Sequence, residues 1–409
     1  MKRIITIVGA RPQFVKAATL SREFDRAGID EKIIHTGQHF DANMSEVFFT
    51  EMEIPQPAFR LDINGVGHGA MTGRMLEGIE KILLDEKPEG VLVYGDTNST
   101  LAGALAAAKL HIPVIHVEAG LRSFNMQMPE EINRILTDRI SSVLFCPTDA
   151  ALKNLAAEGF VNIDTAEGFV DNEPSEGFVN VQAAKGFVNF KLSESAIDAG
   201  ADSTSTTKGV LTHIVKNGDV MQDAALFYAQ KAAQKSTVLQ HLPVSRFVLA
   251  TVHRQENTDD LAHLKGIIDG LNAIHREIPV VLPLHPRTRN ILHQSGLALD
   301  VITIDPVGYF DMISLLQHCE LVITDSGGVQ KEAFFFQKNC ITLREQTEWV
   351  ELVDHGFNEL AGSNPEVMQR AFRKLMNQQS DFSVNLYGNG EAARKAVDYI
   401  SKLEINGTR

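Results

Sequence analysis

The sequence predicts an α/β fold of two doubly wound, Rossmann-like domains that face a cleft, with an insertion between them. Short, β-branched apolar segments alternate with segments of helical periodicity in both halves of the chain. Continuous apolar strands between helices are typical of a parallel sheet that is covered on both faces. The 409 residues are also enough for two or three domains, each with a core that needs no disulfide or metal.

The predicted strands fall into two groups. In the first half they cover residues 4–8, 32–35, 90–94, 114–117 and 143–146, and in the second half residues 246–252, 279–284, 301–304, 321–324 and 339–343. An Ala-rich helix is expected at 101–110, and a last helix at about 391–403 follows a polar, glycine-containing break. We therefore expect an N-terminal domain at 1–160, a C-terminal domain at 214–386, and a final segment at 387–409 whose helix packs back on the N-terminal domain.

The remaining residues, 161–213, contain most of a tandem repeat with a nine-residue period. The triplet Gly-Phe-Val starts at Gly159, Gly168, Gly177 and Gly186. Four such short units cannot stack a core of their own, because solenoid repeats have longer periods. The pattern favours an exposed insertion over a binding module, since surface loops tolerate added length at little cost in stability. We assign it no catalytic role.

Composition and charge exclude several classes of protein. The chain carries 38 Lys and Arg against 52 Asp and Glu, a net charge of −14, whereas nucleic-acid binding rewards a surplus of basic residues. No segment has the roughly 20 apolar residues of a membrane helix, and Arg11 interrupts the apolar start before it could form a signal peptide. Three widely spaced cysteines suit reduced thiols. We expect a cytoplasmic protein that binds neither nucleic acid nor a membrane.

Charged residues follow the first predicted strand. Gly9 permits a close backbone approach, Pro12 suits the first turn of a helix, and helix N-termini attract anions. Arg11 and Lys16 would add two positive charges there. Because open α/β sheets bind ligands at the carboxyl edge of their strands, an anion site is favoured over simple solvent exposure of these two side chains.

Three carboxylates follow later strands of the same half. Asp96 comes after the third predicted strand, although it could instead cap the next helix. Glu118 follows the fourth strand, and Glu130 opens a helix, where its charge suits the helix dipole. Acids that converge raise one another's pKa and become proton carriers near neutral pH. The three together predict acid and base chemistry at this edge of the sheet.

The second half carries a predicted phosphate site. Ser326, Gly327 and Gly328 open a helix after a predicted strand, where backbone N–H groups and a hydroxyl can bind a phosphate. Glu332, one turn further, could accept hydrogen bonds from sugar hydroxyls. Other strand ends of this half supply cations and an aromatic group for a base: His253, Arg254 and Tyr309.

A metal site is not expected. His116-Val117-Glu118 resembles part of a zinc-deaminase signature, but the sequence lacks the Pro-Cys-x-x-Cys segment that the signature requires. Five other histidines show no ligand spacing: His35, His39, His68, His253 and His285.

Six motifs, in this order, resemble those of the non-hydrolysing UDP-N-acetylglucosamine 2-epimerase family. They are Gly9-Ala10-Arg11-Pro12 with Lys16, Gly95-Asp96-Thr97-Asn98, His116-Val117-Glu118-Ala119-Gly120-Leu121-Arg122, Pro129-Glu130-Glu131-Ile132-Asn133-Arg134, His253-Arg254, and Asp325-Ser326-Gly327-Gly328-Val329-Gln330. The resemblance covers nearly the whole chain except the insertion. It implies a two-domain fold of the GT-B type, with UDP held mainly by the second domain and the sugar facing the first.

The resemblance also implies a reaction and roles for residues. C2 of the sugar is inverted by elimination of UDP to a 2-acetamidoglucal, followed by protonation on the opposite face and re-addition, without a cofactor. Asp96, Glu118 and Glu130 are the implied proton carriers, with His253 as a fourth catalytic residue. The implied substrate contacts are Arg11, Lys16 and His253 to the diphosphate, Ser326, Gly327 and Gly328 to phosphate, Glu332 to ribose, and Arg122, Arg254 and Tyr309 elsewhere on the substrate.

Two departures from the family pattern bear on the substrate. Family members that act on UDP-GlcNAc often carry Gly-Thr-Arg-Pro-Glu and Thr-Glu-Arg-Pro-Glu, whereas this chain has Gln13 and Thr347-Glu348-Trp349-Val350-Glu351. Loss of a negative charge beside the sugar would ease binding of a sugar that carries a carboxylate, as in the branch that acts on UDP-2,3-diacetamido-2,3-dideoxy-glucuronate. A single screened charge is worth only about 1 kcal/mol, so UDP-GlcNAc is the first expectation.

Two other classes of protein stay open. A GT-B glycosyltransferase would share the fold, but it would need an acceptor and would not exchange hydrogen at C2. A UDP-sugar-binding regulator without catalysis would not need carboxylates near the sugar. The family resemblance further implies a homodimer that supplies envelope polysaccharide synthesis.

Overall fold

The computed structural model describes residues 2–38, 49, 52–163 and 210–403. The chain divides into two compact units. The first comprises Met1–Phe40, Pro55–Asp219 and Glu391–Arg409, and the second comprises Asp41–Ile54 and Val220–Gly390. Each unit contains one sheet built from parallel strand pairs. The predicted fold class, with two α/β domains, is confirmed.

The first unit builds an eight-stranded sheet. Its strands are β1 (Arg3–Val8), β2 (Asp30–His35), β3 (Phe59–Arg60), β4 (Gly90–Tyr94), β5 (Val114–Val117), β6 (Val143–Cys146), β7 (Phe160–Asn162) and β8 (Val210–Lys216). The helices between them are α1 (Arg11–Ala27), α2 (His68–Glu86), α3 (Asn98–Lys109), α4 (Pro129–Ile140) and α5 (Asp149–Ala157). The strand order is β3-β2-β1-β4-β5-β6-β8-β7, so the direction of winding reverses between β1 and β4.

The second unit builds a six-stranded sheet. Its helices are α6 (Val220–Lys235), a 3₁₀ turn (Val238–His241), α7 (Gln255–Thr258), α8 (Leu261–His275), α9 (Pro286–Ser295), α10 (Tyr309–His318), α11 (Gly327–Phe335), α12 (Val350–Asp354) and α13 (Pro365–Met376). Its strands are β9 (Val248–Thr251), β10 (Val280–Pro283), β11 (Ile302–Ile304), β12 (Val322–Thr324), β13 (Cys340–Thr342) and β14 (Asn358–Leu360). The order β11-β10-β9-β12-β13-β14 reverses between β9 and β12.

The last helix, α14 (Ala392–Lys402), belongs to the first unit and lies against α1. The hydroxyl of Tyr399 lies 2.7 Å from Nδ1 of His213 on β8. At the end of the helix Lys2 Nζ donates a hydrogen bond to the carbonyl of Ile400 at 2.7 Å. A cation at this position complements the negative end of the helix dipole.

The strand order determines where functional groups leave the sheets. In the first unit β1, β4 and β5 are consecutive neighbours, so Gly9, Gly95 and Glu118 emerge at one carboxyl edge. In the second unit β9 and β12 are neighbours, and their carboxyl ends lead to His253 and Asp325. These are the reversal points at which open α/β sheets bind ligands.

All the predicted strands occur, and those at 90–94, 114–117 and 143–146 have the predicted bounds. Four strands were not predicted: β3, β7, β8 and β14. Three of them have only two or three residues, which is too short for a periodic pattern. β8 starts inside the range expected for the insertion and pairs with β6. The first Gly-Phe-Val triplet leads into β7, and the other three triplets lie outside the described residues.

Replacing Ile400 by Ala should lower the free energy of unfolding by about 2–4 kcal/mol, because a fully buried side chain of α14 would leave a cavity. Denaturant titration followed by circular dichroism measures the change. Lys402→Ala, at an exposed position of the same helix, is the matched control and should change stability by less than about 0.5 kcal/mol. Equal, small effects of both substitutions would contradict the packing of α14 described above.

Candidate active site

The turn that carries Asp96 is held by hydrogen bonds to its backbone. The carbonyl oxygens of residues 94–96 each contact a side chain from a different element. Gln13 Nε2 on α1 lies 2.9 Å from the first, His116 Nε2 on β5 lies 2.8 Å from the second, and Asn133 Nδ2 on α4 lies 2.9 Å from the third. Side chains from three elements therefore hold the Asp96 turn in place.

The carboxylate of Asp96 pairs with a cation and does not cap a helix. Its Oδ2 accepts a hydrogen bond from Arg134 Nη2 at 2.5 Å, and Arg134 Nη1 donates to Glu131 Oε2 at 2.9 Å. Helix α3 is capped by Thr97, whose hydroxyl accepts from the N–H of Thr100. The alternative that Asp96 serves as the cap is wrong. Its carboxylate is partly exposed beside Arg134.

Glu118 lies directly beside this turn. It follows β5 with a φ of 72°, a left-handed conformation that costs a non-glycine residue about 1–3 kcal/mol. Its carboxylate forms a nearly buried ion pair with Lys16 of α1. A Cβ on Gly95 would lie 3.1 Å from Glu118 Oε2 and 3.4 Å from Lys16 Nζ. The Glu118–Lys16 pair and the Asp96 turn therefore share one edge of the sheet.

Two neighbouring glutamates at the start of α4 have different environments. The buried carboxylate of Glu131 accepts hydrogen bonds from the N–H groups of Ser123 and Phe124, each at 2.9 Å, and from Arg134. Burial alone would raise the pKa of Glu131, but these bonds together hold it below its usual value. Glu130 is only partly buried in the first turn of the helix. Glu131 thus orders the preceding loop, and Glu130 is the more exposed acid.

Carboxylates at this edge are paired with cations, whereas the sequence predicted acids crowded against one another. Asp96 faces Arg134, and Glu118 faces Lys16. Each of these two carboxylates therefore has a positive side chain as its partner.

Gln13 links the ends of β1 and β4. Its Oε1 accepts hydrogen bonds from the N–H groups of Gly9 at 2.8 Å and Ala10 at 3.1 Å. Its Nε2 donates to the carbonyl of Tyr94 and to two threonine hydroxyls at the start of α3. Gln13 is 2% exposed. The expectation that Gln13 acts on a charge beside the sugar is corrected, because its amide is buried against the protein's own backbone.

Residues close to Gln13 explain why position 9 is a glycine. A Cβ on Gly9 would lie 2.2 Å from the hydroxyls of Ser99 and Thr36, so glycine is required by the protein's own hydroxyl groups. Arg11 is the first residue of α1 and is partly exposed. Of the two cations expected to bind an anion here, Arg11 is thus the more exposed, and Lys16 is buried in its ion pair.

Arg122 is a buried structural residue. Its Nε and Nη2 donate to the two carboxylate oxygens of Glu158 at 2.6 and 2.9 Å, and its Nη1 donates to Asp138 Oδ2 at 2.8 Å. Such a bidentate pair fixes the guanidinium in position. The expected substrate contact by Arg122 stays a prediction, and in this structure its side chain is buried between two carboxylates.

In the second unit Asp325 organises the end of β9. Its Oδ2 accepts hydrogen bonds from the backbone N–H groups of His253 and Arg254, each at 2.9 Å, and its Oδ1 lies 3.1 Å from His253 Nδ1. Burial alone would raise the pKa of Asp325, but His253 and the two N–H groups hold it below its usual value. The buried carboxylate of Asp325 therefore orients the half-exposed ring of His253.

The predicted phosphate turn opens helix α11. Ser326 Oγ accepts a hydrogen bond from the N–H of Val329 at 3.4 Å and so caps its own helix, which begins at Gly327. A Cβ on Gly327 would lie 2.5 Å from Glu348 Oε1 and 3.5 Å from Trp349 Nε1. Glycine is therefore the residue that fits between the helix start and this acid–indole pair.

Two buried pairs follow in α11. Burial, and then the nearby carboxylate of Glu332, raise the pKa of the Tyr309 phenol well above its usual value. Lys331 is fully buried, with its ammonium group 3.9 Å from the centre of the Trp349 ring, a favourable cation–π arrangement. Trp349 stands where the related motif has arginine, and it forms an aromatic surface for Lys331.

Among residues 2–38, 49, 52–163 and 210–403, no group of three or more His, Cys, Asp or Glu side chains could hold a metal ion. In the same part of the chain, no helix combines the length and apolarity needed to cross a membrane. Cys146, Cys319 and Cys340 are buried and unbridged, and burial raises the pKa of Cys319 to about 12.

Comparison with known proteins identifies the family. A sequence model of the UDP-N-acetylglucosamine 2-epimerase family matches residues 22–165 and 207–401. The chain belongs to this family. Its relatives are epimerases, so the predicted isomerase class and the predicted family are confirmed.

Two relatives and one solved structure are similar to this chain over nearly their full length. A UDP-2,3-diacetamido-2,3-dideoxy-D-glucuronate 2-epimerase of Pseudomonas aeruginosa is 50% identical over 98% of this chain and 100% of the relative. A UDP-N-acetylglucosamine 2-epimerase of Methanocaldococcus jannaschii is 38% identical over 97% of this chain and 98% of the relative. A crystal structure of the M. jannaschii UDP-GlcNAc 2-epimerase with UDP-GlcNAc and UDP is 37% identical, with a TM-score of 0.79 over 98% of this chain and 99% of that chain.

Several residues around the candidate site were given no role of their own from the sequence. They are Asn133, Arg134, Asp138 and Asp325, which contact backbone groups or carboxylates of the candidate site. The spacing of Glu131 and Arg134, three residues apart on one helix face, is a signal that could have indicated their ion pair. The contacts of Asp138 and Asp325 join distant segments and leave no local pattern.

Replacing Gln13 by Glu should destabilise the protein by about 1–3 kcal/mol at pH 8, because the carbonyl of Tyr94 would face an oxygen instead of a donor. A buried Glu in this position would have a raised pKa, so the penalty should shrink as the pH falls and the protonated acid can donate. Urea denaturation at pH 8 and pH 5 measures both effects. Gln294→Glu, at an exposed position, is the matched control, and equal effects of the two substitutions would contradict the role of Gln13.

Proposed function

We propose that the chain inverts C2 of a UDP-linked 2-acetamido sugar by elimination and re-addition of UDP. A carboxylate removes the C2 proton, the C1–O bond breaks with its electrons going to UDP, and a double bond forms between C1 and C2. A proton then returns to C2 on the opposite face, and a UDP oxygen adds back to C1. The atoms balance without a cofactor. The proposal rests on the shared edge formed by the Asp96 turn and the Glu118–Lys16 pair.

Inversion at C2 needs proton carriers on both faces of the ring, which supports a role for more than one acid. Asp96 and Glu118 lie at one edge, and Glu130 opens the helix that supplies Arg134. A departing diphosphate would compete with Glu118 for Lys16, since both are anions. This competition would release the Glu118 carboxylate at the moment when a base is needed.

We further propose that the second unit binds UDP. Gly327 and Gly328 begin α11, whose N-terminus carries the positive end of the helix dipole. His253, held by Asp325, supplies a partner for the diphosphate at the neighbouring strand end. We also assign three other residues of this unit to contacts with the substrate, on the basis of their positions alone: Arg254, Tyr309 and Glu332.

The substrate we propose first is the UDP-2,3-diacetamido-2,3-dideoxy-glucuronate. The sequence alone favours UDP-GlcNAc, whereas the relative at 50% identity favours the uronate. UDP-GlcNAc is the second candidate, supported by the M. jannaschii relative at 38% identity. Both sugars carry the 2-acetamido group and the C2 hydrogen that the elimination removes, so they differ in binding and not in chemistry.

Incubation of each substrate with the enzyme in deuterated water tests the proposal. We expect deuterium at C2 and formation of the C2 epimer, with faster turnover of the uronate than of UDP-GlcNAc, measured side by side by NMR. A fully protonated C2 and the absence of an epimer with both substrates would contradict epimerisation. Sugar transfer to an added acceptor, without exchange at C2, would favour the glycosyltransferase alternative.

Asp96→Asn is the informative variant in the same assay. It should lower turnover by about 100-fold or more, because loss of a positioned acid or base typically costs this much. UDP binding, measured by calorimetry, should stay near that of the unmodified enzyme. Asp85→Asn, an exposed position on α2, is the matched control. Unchanged turnover of Asp96→Asn would remove this residue from the mechanism.

We also propose that the enzyme is a cytoplasmic homodimer that supplies envelope polysaccharide synthesis. Four large apolar side chains are exposed at or just before α4: Phe124, Met126, Ile132 and Leu136. Exposed apolar groups of this size are typical of surfaces that bind a partner. Light scattering of the intact chain should give twice the chain mass.

A further inference from the structure

A network of three buried residues, His116, Asp138 and Arg122, with the partly exposed Glu158, lies beside the two turns that carry Asp96 and Glu118. None of these four residues is part of the proposed chemistry. We propose that the His116–Asp138 pair is a positioning device that ties the two acid-bearing turns to each other. This inference rests on the proposed function, because it concerns the placement of its proton carriers.

His116 is oriented by two acceptors. The residue is fully buried on β5, with Nδ1 2.7 Å from Asp138 Oδ1 and Nε2 2.8 Å from the carbonyl oxygen of Gly95. A carboxylate oxygen and a carbonyl oxygen can only accept, so both ring nitrogens must donate when both bonds form.

Asp138 reaches the second turn with its other oxygen. Oδ2 accepts a hydrogen bond from the backbone N–H of Gly120 at 3.1 Å and from Arg122 Nη1 at 2.8 Å. Burial alone would raise the pKa of Asp138, but His116 and Arg122 together hold it below its usual value. One buried carboxylate therefore connects the β4 turn, through His116, with the β5 turn, through Gly120.

Both turns need such support because their backbones are unusual. Gly95, Glu118 and Gly120 have φ values of 62°, 72° and 79°, and of these Glu118 carries a side chain that opposes this conformation. A Cβ on Gly120 would lie 2.6 Å from the carbonyl oxygen of Ala151, so the turn is also packed tightly from the other side. Hydrogen bonds to Gly95 and Gly120 hold the residues that flank the two acids.

The side chains of the network are paired within the first unit. His116 and Arg122 bond to the carboxylates of Asp138 and Glu158. One substitution can remove the charge of Asp138 and keep its hydrogen-bonding geometry. In Asp138→Asn the amide oxygen can still accept from Gly120 and Arg122, while its NH₂ donates to Nδ1 of a neutral His116. The ring would then keep its Nε2–H bond to Gly95, so every hydrogen bond of the pair can persist.

Kinetics of three variants, compared with the unmodified enzyme in the C2 exchange assay, test the proposal. His116→Phe removes both bonds and should lower kcat on the order of 100-fold, the effect expected when reacting groups shift by about 1 Å, with KM little changed. Asp138→Asn should retain most of kcat, whereas Asp138→Ala should fall as His116→Phe does. His213→Phe, a histidine on β8 that bonds to Tyr399, is the matched control and should keep its kcat.

The outcomes are distinguishable. Absence of exchange in the unmodified enzyme would count against the proposed function, and the positioning role would fall with it. Exchange in the unmodified enzyme with kcat of His116→Phe within twofold of it, or equal losses in Asp138→Asn and Asp138→Ala, would overturn the positioning role alone. If His116→Phe does not fold, His116→Gln replaces it. Its kcat should also fall at unchanged KM, and a kcat within twofold of the unmodified enzyme would overturn the proposal.

Discussion

The arrangement of the first unit depends on one requirement: the backbone carbonyls of residues 94–96, at and just beyond the end of β4, must be paired. An unpaired buried acceptor costs about 1–3 kcal/mol. Gln13, His116 and Asn133 meet this need from α1, β5 and α4. Because the three donors come from different elements, satisfying the turn also fixes those elements relative to Asp96. The contacts that pair these carbonyls are thus the same contacts that position Asp96.

In the second unit the backbone groups that must be paired are donors, not acceptors. They are N–H groups beyond β9, and the carboxylate of Asp325, at the end of the neighbouring strand β12, accepts from them. In both units a buried polar side chain from one strand end or helix holds the backbone at the end of the adjacent strand. Residues at the carboxyl edges are therefore ordered by partners that touch no substrate in the proposed mechanism.

Strands of both sheets could be predicted from the sequence because apolar, β-branched runs between helical segments report burial directly. The carboxyl-edge positions of Asp96, Glu118, His253 and Ser326 followed from those strands. The partners of these residues could not be predicted. Lys16 is 102 residues from Glu118 and Gln13 is 81 residues from Tyr94, and a hydrogen bond across such a distance leaves no periodic trace.

The roles of individual side chains are hard to predict for the same physical reason. Gln13 and Arg122 are polar residues within motifs that resemble a substrate site, which predicts them beside the ligand. The structure buries both, and their donors and acceptors are used by the fold. A motif shows roughly where a site lies. Which of its residues contact the substrate and which support the fold depends on which side chains are buried by tertiary packing.

The indole of Trp349 has one more consequence. It is the single tryptophan of the chain, and it lies between the start of α11 and the ammonium group of Lys331. Fluorescence excited at long wavelengths, where tryptophan alone absorbs, therefore comes from one known position in the second unit. The chain carries an intrinsic optical reporter next to the turn assigned to phosphate, and occupancy there can be followed without a dye or a label.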